Sequence, residues 1–224
     1  MSWATLADLV LPASCAGCGA ERVTLRHGAC TACVTTVEAL APRDARPTPA
    51  PPGLPWSFTL GAYADPLSSL IVAYKDRGRH GLAAPLGALL ARVVVEAAGD
   101  QPVLLVPIPD TPKAARERHG DHMARLAKVA ARRLRDAGRD VHTAYPLIGV
   151  AKQDSLHLDA AGRAAAAGFG TRTRRLPADR MVVLVDDVMT TGATLAAAAD
   201  ALRRTGVEAG ACATLAATAR RSYG

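Results

Sequence analysis

The strongest constraint in this chain is one junction. Val182-Val183-Leu184-Val185 is a continuous apolar run that leads straight into Asp186-Asp187, then Val188-Met189-Thr190-Thr191-Gly192-Ala193-Thr194. A short, uninterrupted apolar run, mostly valine, reads as a strand buried on both faces, which is the habit of a parallel sheet. Small and hydroxylated residues follow, and then an alanine-rich helical pattern over 195–204, stopped by Gly206. Strand, polar turn and helix in that order imply an α/β fold with a parallel sheet flanked by helices. In such a sheet, ligands bind at the carboxyl ends of the strands. The rest of the pattern agrees. Strands are expected over 57–63, 103–106, 141–145, 181–185 and 211–216. Helices are expected over 80–97 and along the face carrying Met123, Leu126, Ala127, Ala130 and Leu134.

The same junction points to a ligand. Thr190, Thr191, Gly192, Ala193 and Thr194 offer hydroxyls, backbone N–H groups and a helix N-terminus, which together suit an anion such as a phosphate. Gly192 lets the backbone approach it closely. Asp186 and Asp187 repel phosphate but suit the hydroxyls of a neighbouring sugar. A ribose 5-phosphate satisfies both halves. A Mg2+ site in another α/β fold is the competing reading of the acid pair, but the chain lacks a Gly-x4-Gly-Lys-Ser/Thr loop.

Four of the five cysteines form two pairs, Cys15-x2-Cys18 and Cys30-x2-Cys33, separated by eleven residues. This spacing fits four-thiolate coordination of Zn2+, with no ligand position left open, so the metal would be structural. Redox CxxC pairs or buried thiols are the alternatives. His27 reads as an exposed loop residue and Cys212 as core. Prolines at 42, 47, 49, 51, 52 and 55 erase any periodicity and mark a semi-rigid linker. The expected organisation is therefore a cysteine unit over 1–41, a linker over 42–56 and the α/β domain over 57–224.

The net charge is +7, which favours anionic partners without choosing among phosphates, nucleic acid and acidic lipid. The longest apolar stretch, 82–98, contains Pro85, Arg92 and Glu96 and is shorter than a bilayer crossing needs. Residues before Cys15 lack a basic n-region and read as a short amphipathic segment, so a cytoplasmic protein without membrane insertion is expected.

The acid pair followed by Thr-Thr-Gly resembles the phosphoribosyl-pyrophosphate (PRPP) loop of type I phosphoribosyltransferases. Further features narrow the resemblance: the four-cysteine unit, Tyr74-Lys75-x2-Gly78, Val106-Pro107-Ile108-Pro109 leading to Arg116-x-Arg118, and Lys152-x3-Leu156 with Arg163. Together they are similar to the ComF family (ComFC/GntX-like) of competence-associated phosphoribosyltransferase proteins over essentially the full length. The resemblance implies a type I phosphoribosyltransferase fold over 57–224. It implies that Asp186 and Asp187 hold the ribose hydroxyls, with Mg2+ bridging them to pyrophosphate, and that residues 190–194 hold the 5-phosphate. Lys75, Arg116, Arg118, Lys152 and Arg163 would screen the leaving pyrophosphate, and 152–163 would form a flap. Where the family commonly carries Arg-Gly-Phe-Asn, this chain reads Arg118-His119-Gly120-Asp121-His122, and the aromatic is gone.

Three functions fit: a PRPP-dependent transferase acting on an unidentified acceptor, a non-catalytic PRPP or nucleotide sensor, and a partner of DNA or of a competence protein. The basic run Arg172, Arg174 and Arg175 reads as solvated surface or as a nucleic-acid contact. Arg116 and Arg118 can equally be solvated, and Tyr74-Lys75 can be core plus surface. His119, His122 and His157 form no metal spacing and read as ordinary histidines.

Overall fold

The structure is a computed structural model and describes residues 14–117, 120–149, 168–172 and 176–218. It opens with a small hairpin, β1 (Leu25–Arg26) and β2 (Ala29–Cys30), followed by α1 (Thr31–Glu38). His27 and Gly28 turn the hairpin, both at positive φ, and His27 is exposed. A short strand β3 (Arg43–Asp44) then precedes β4 (Trp56–Ala62), α2 (Leu67–Asp76), a 3-10 turn (His80–Leu82) and α3 (Ala83–Ala98). Next come β5 (Val103–Pro107), α4 (Pro112–Glu117), α5 (His122–Asp136), β6 (Val141–Thr143) and the strand pair β7 (Leu147–Gly149) and β8 (Phe169–Thr171). The chain closes with β9 (Met181–Met189), α6 (Ala193–Arg203) and β10 (Ala209–Ala217).

Six strands form the main sheet in the order β3-β4-β10-β9-β5-β6. Every neighbouring pair is parallel except β3 with β4, whose register sets Arg43 opposite Thr59. From β5 the chain moves outward to β6, and from β9 it moves the other way to β10. The gap between the ends of β5 and β9 is therefore the topological switch point, where an open α/β sheet presents its crevice.

Helices cover both faces. Val183 and Val185 of β9 point into one core with Leu86, Leu90 and Val94 of α3 and Leu126 and Ala130 of α5. Val182 and Leu184 point the other way, into a core with Leu195, Ala198 and Leu202 of α6. The segment His80–Ala98 is long and apolar enough to cross a bilayer by composition. Here it is a core helix, with Leu90 and Val93 wholly buried. Alanines at Ala130, Ala198, Ala199 and Ala201 bring helix backbones close to the sheet, as expected of a chain with only 4% aromatics.

Residues 42–56 are packed along the domain. Arg43 and Asp44 extend the sheet, Trp56 Nε1 donates to Asp44 Oδ1 at 3.1 Å, and Leu54 sits in the α6-side core at 5% exposure.

Candidate active site at the switch point

Strand β9 continues past Val185 and stays paired with β10 through Asp186, Val188 and Met189. Both acids are thus strand residues, and strand alternation sends them to opposite faces. Asp187 follows Val183 and Val185 toward α2 and α5, while Asp186 follows Val182 and Leu184 toward α6. Both still line one cavity of about 450 Å3, together with Lys75, Asp110, Thr190 and Thr194. This volume suits a small, polar ligand.

Asp187 is 3% exposed and is held by two cations on a single oxygen. Lys75 Nζ lies 2.7 Å from Oδ2, and His122 Nε2 lies 3.0 Å from the same atom. The other imidazole nitrogen, Nδ1, meets Asp110 Oδ2 at 2.5 Å. The result is a buried chain from Asp110 through His122 to Asp187 and Lys75. Burial alone would lower the His122 pKa, but hydrogen bonding to Asp110 and Asp187 outweighs it and raises the value to about 9. The ring is therefore an imidazolium at neutral pH, with an N–H for each carboxylate. Burial acts to raise Asp187 as well, and the hydrogen bond from His122 and the charge of Lys75 overcome it, holding Asp187 near 2. Asp186 accepts only the Asp187 N–H, at 2.9 Å, and feels Lys75 and His122 from a distance, which is not enough. Burial and then the neighbouring Asp187 charge push it up to about 7. Two adjacent carboxylates are thus driven apart in proton affinity.

The supports of this chain come from well-separated segments. Lys75 sits in the last turn of α2, and its neighbour Tyr74, 1% exposed, donates its hydroxyl to the His122 backbone carbonyl at 2.9 Å. Asp121 caps α5 by accepting from the Ala124 N–H at 2.8 Å, which fixes His122 at the first helical position. Asp110 arrives from the turn after β5, and the His122 N–H points at its Oδ2 at 3.4 Å.

Beyond β9, Gly192 adopts a left-handed conformation with φ 76° and starts α6. The Ala193 N–H reaches Thr191 Oγ1 at 3.3 Å. Close backbone approach to a ligand was the expected reason for a glycine here. The structure adds another: a Cβ at this position would lie 2.9 Å from Leu54 Cδ2 and 3.2 Å from Pro47 Cγ. The proline-rich segment presses on the turn from behind. Thr190 and Thr191 are exposed, and Thr194 is exposed at the cavity wall.

The remaining anticipated site residues divide into two groups. Arg116 is exposed at the end of α4 and does not line this cavity, although Thr111 and Ala114 of the same stretch do. Arg118, Lys152 and Arg163 lie outside the described residues, as do Arg174, Arg175, His119 and His157. Gly149 and Gly168, which flank 150–167, both line the cavity, as does Phe169. Arg172 donates its backbone N–H to Pro146 O at 2.7 Å. Sequence reasoning set His122 aside, yet it touches both Asp110 and Asp187. Its signal was position: a histidine directly after an N-capping aspartate, on the helix that begins beside the switch point.

The four paired cysteines place their sulfurs within 4.8 Å of one another. Cys18 Sγ and Cys30 Sγ are 3.7 Å apart, close to the ~3.8 Å edge of a tetrahedron with Zn–S bonds of about 2.3 Å. The N–H groups of Cys30 and Gly17 point at Cys15 Sγ at 3.2 and 3.4 Å. Burial opposes ionisation of this thiol, but these backbone donors lower its pKa to about 6. Burial and the three neighbouring sulfurs push the Cys33 thiol up instead, and a four-sulfur cluster of this size fits zinc. Cys212 is wholly buried in β10, and burial raises its thiol to about 12.

Residues 124–223 match the family described as phosphoribosyl transferase domain. The match covers under half of the chain and, with the mostly parallel sheet flanked by helices, supports a type I phosphoribosyltransferase fold. The match begins inside α5 and covers β6 to β10, and so includes the acid pair and the turn that follows. Comparison with curated proteins finds no match. The matched region thus has its acid pair at the switch point, with Lys75 and His122 behind it and a cysteine cage ahead of it in sequence.

Proposed function

We propose that this protein is a PRPP-dependent phosphoribosyltransferase of the ComF type, transferring ribose 5-phosphate to an acceptor and releasing pyrophosphate. One observation carries the reading: Asp186, Asp187, Thr190 and Thr194 line a single cavity at the switch point of a phosphoribosyltransferase fold. In this reading the turn over 190–194 takes the 5-phosphate through hydroxyls and the first N–H groups of α6. The ribose lies against the two acids. Asp187 accepts a sugar hydroxyl on Oδ1, since Lys75 and His122 both occupy Oδ2.

The reaction builds positive charge on the ribose and negative charge on the departing pyrophosphate, as in glycosyl transfer generally. A fixed, buried carboxylate is suited to the first demand. Its charge is already placed and costs little reorganisation when the transition state forms. Lys75, 30% exposed at its side chain, stands on the cavity wall for the second. Arg116, Arg118, Lys152 and Arg163 are assigned to the same side by family resemblance, and 152–163 to a flap. Asp186 lines the cavity, and its carboxylate would hold a Mg2+ ion. When bound, that ion neutralises the leaving group. A cytoplasmic setting agrees with four free cysteines clustered at metal-binding distance. The link to DNA uptake rests on the family resemblance.

Calorimetric titration with PRPP and Mg2+, paired with isotope-traced pyrophosphate release, tests the proposal. Binding with turnover is expected. Binding without release across a broad acceptor panel identifies a sensor instead, and absence of binding removes the reading.

A further inference from the structure

The crevice at the switch point is open by construction. Strands β5 and β9 are paired as far as Pro107 opposite Val185, and the Ile108 N–H donates to Val185 O at 2.9 Å. Beyond that bond the two chains part. β9 runs on beside β10 to Met189, while β5 gives way to a turn through Pro109, Asp110 and Thr111. Both sides still line the active-site cavity, Asp110 and Thr111 from the turn and Asp186 and Asp187 from β9. The ladder between β5 and β9 therefore does not set the width of the crevice where a ligand would sit.

His122 spans that gap. Its Nδ1 meets Asp110 Oδ2 at 2.5 Å, its Nε2 meets Asp187 Oδ2 at 3.0 Å, and its side chain is 7% exposed. A carboxylate at each ring nitrogen calls for an N–H at each, so the geometry itself requires the imidazolium. The two ends of the bridge are firmly seated. A Cβ on Gly149 would lie 2.7 Å from the Asp110 carbonyl oxygen, so β7 backs the turn closely. The His122 N–H points at Asp110 Oδ2 and the Asp110 N–H at Asp121 Oδ2, each at 3.4 Å, which ties the turn to the start of α5. On the other side Asp187 is also held by Lys75. Each wall of the crevice thus has its own anchor, and His122 bonds to both walls.

We propose that His122 is a positioning residue for the donor: by bridging Asp110 and Asp187 it sets the distance between the turn on the pyrophosphate side and the acid on the ribose side. The inference rests on the proposed phosphoribosyl transfer and adds the part that keeps the two ends of PRPP in register. PRPP reaches both walls, whereas ribose 5-phosphate and pyrophosphate each occupy one. The gain from joining two halves in one ligand depends on the spacing of their sites. Loss of the bridge consequently costs PRPP more than it costs either half.

Calorimetric titrations of the full chain with PRPP, ribose 5-phosphate and pyrophosphate, each with Mg2+, test this. His122→Ala should weaken PRPP by about ten-fold or more and each half by less than about three-fold, since Lys75 still holds Asp187 and β7 still backs the turn. His122→Gln should show the same selective loss. An amide has donors at one end and an acceptor at the other, so it cannot donate to a carboxylate at both. Imidazole added to His122→Ala should recover part of the PRPP affinity. Pyrazole, a ring of the same size that stays uncharged at neutral pH, should recover none, and wild-type protein should respond to neither. Unchanged PRPP affinity in both variants overturns the inference and leaves the transferase reading standing. An equal loss for PRPP and both halves also overturns it, because His122 would then only support the local fold. Recovery by pyrazole as well as imidazole does the same, since filling the hole would suffice without a charged bridge. If wild-type protein does not bind PRPP, both readings fall. Should far-UV circular dichroism show His122→Ala unfolded, the three titrations of His122→Gln decide alone.

Discussion

At the residue scale the two aspartates should behave differently. Asp187 is the anion between two cations, and Asp187→Asn leaves His122 and Lys75 facing each other without it. The expected cost is roughly 3 kcal/mol of stability, in addition to weakened PRPP binding. Asp186 is a carboxylate whose charge the fold disfavours. Asp186→Asn should therefore melt at or above the wild-type temperature while still losing PRPP affinity. Thermal melts and calorimetry on the two variants check both halves. Equal melting points would deny that Asp187 is the paired partner. His122 gives a second test. Its pKa is raised above the free-histidine value of about 6.5, so its contribution is fully present below that value and is lost as pH climbs through about 9. Asp110 and Asp187 face the ring directly, and Tyr74 holds its backbone carbonyl. The swing is up to about 3 kcal/mol. Urea melts between pH 6.5 and 9.5 should show wild-type stability falling across that range more steeply than that of His122→Gln.

At the scale of elements, the junction between β9 and α6 depends on a segment far away in sequence. Gly192→Ala meets two obstacles: a φ of 76° that costs an alanine about 1–2 kcal/mol, and contact with Leu54 and Pro47. Leu54→Ala removes only the second. The Gly192→Ala penalty should therefore shrink, but not vanish, in a Leu54→Ala background, as a double-mutant cycle on melting free energies will show. This coupling also shows what could be read from sequence. The apolar run of β9, the periodicity of α5 and the Thr-Thr-Gly turn were legible because local residues decide them. The continuation of β9 through Asp186 and Asp187 was not, because paired acids read as a turn until β10 is seen beside them. Helix α2 has Leu67, Leu70, Ile71 and Tyr74 at helical spacing, and the structure buries all four. The function of Tyr74-Lys75 was hidden nevertheless, since its two targets, His122 and Asp187, are supplied by tertiary folding. The packing of Pro47 and Leu54 on Gly192 was invisible for the same reason: a proline run without periodicity gives no hint of the surface it packs on.

At the scale of the molecule, the cysteine cage and the proposed ribose site are joined by one helix. Cys15, Cys30, Cys33 and Val37 share a core with Leu60, Leu67 and Ile71. A Cβ on Gly17 would lie 2.8 Å from Cys33 Sγ and 3.1 Å from Pro66 Cβ, so the first knuckle sits directly against the residue that begins α2. Arg79, just beyond the far end of that helix, donates to the Ser14 carbonyl at 2.6 Å. Helix α2 is therefore gripped at both ends by the cysteine unit, and between those grips it carries Lys75 to Asp187. A metal that closes the cage consequently stabilises the position of Lys75. Freshly reduced protein should contain one zinc per chain by atomic emission. Cys18→Ser changes the exposed ligand and leaves the three buried thiols in place. It should lose the metal, lower the melting temperature and weaken PRPP binding several-fold, with zinc addition restoring none of these. A zinc-free chain with unchanged PRPP affinity would mean that α2 keeps its place without the cage, and that the two ends of the molecule act separately.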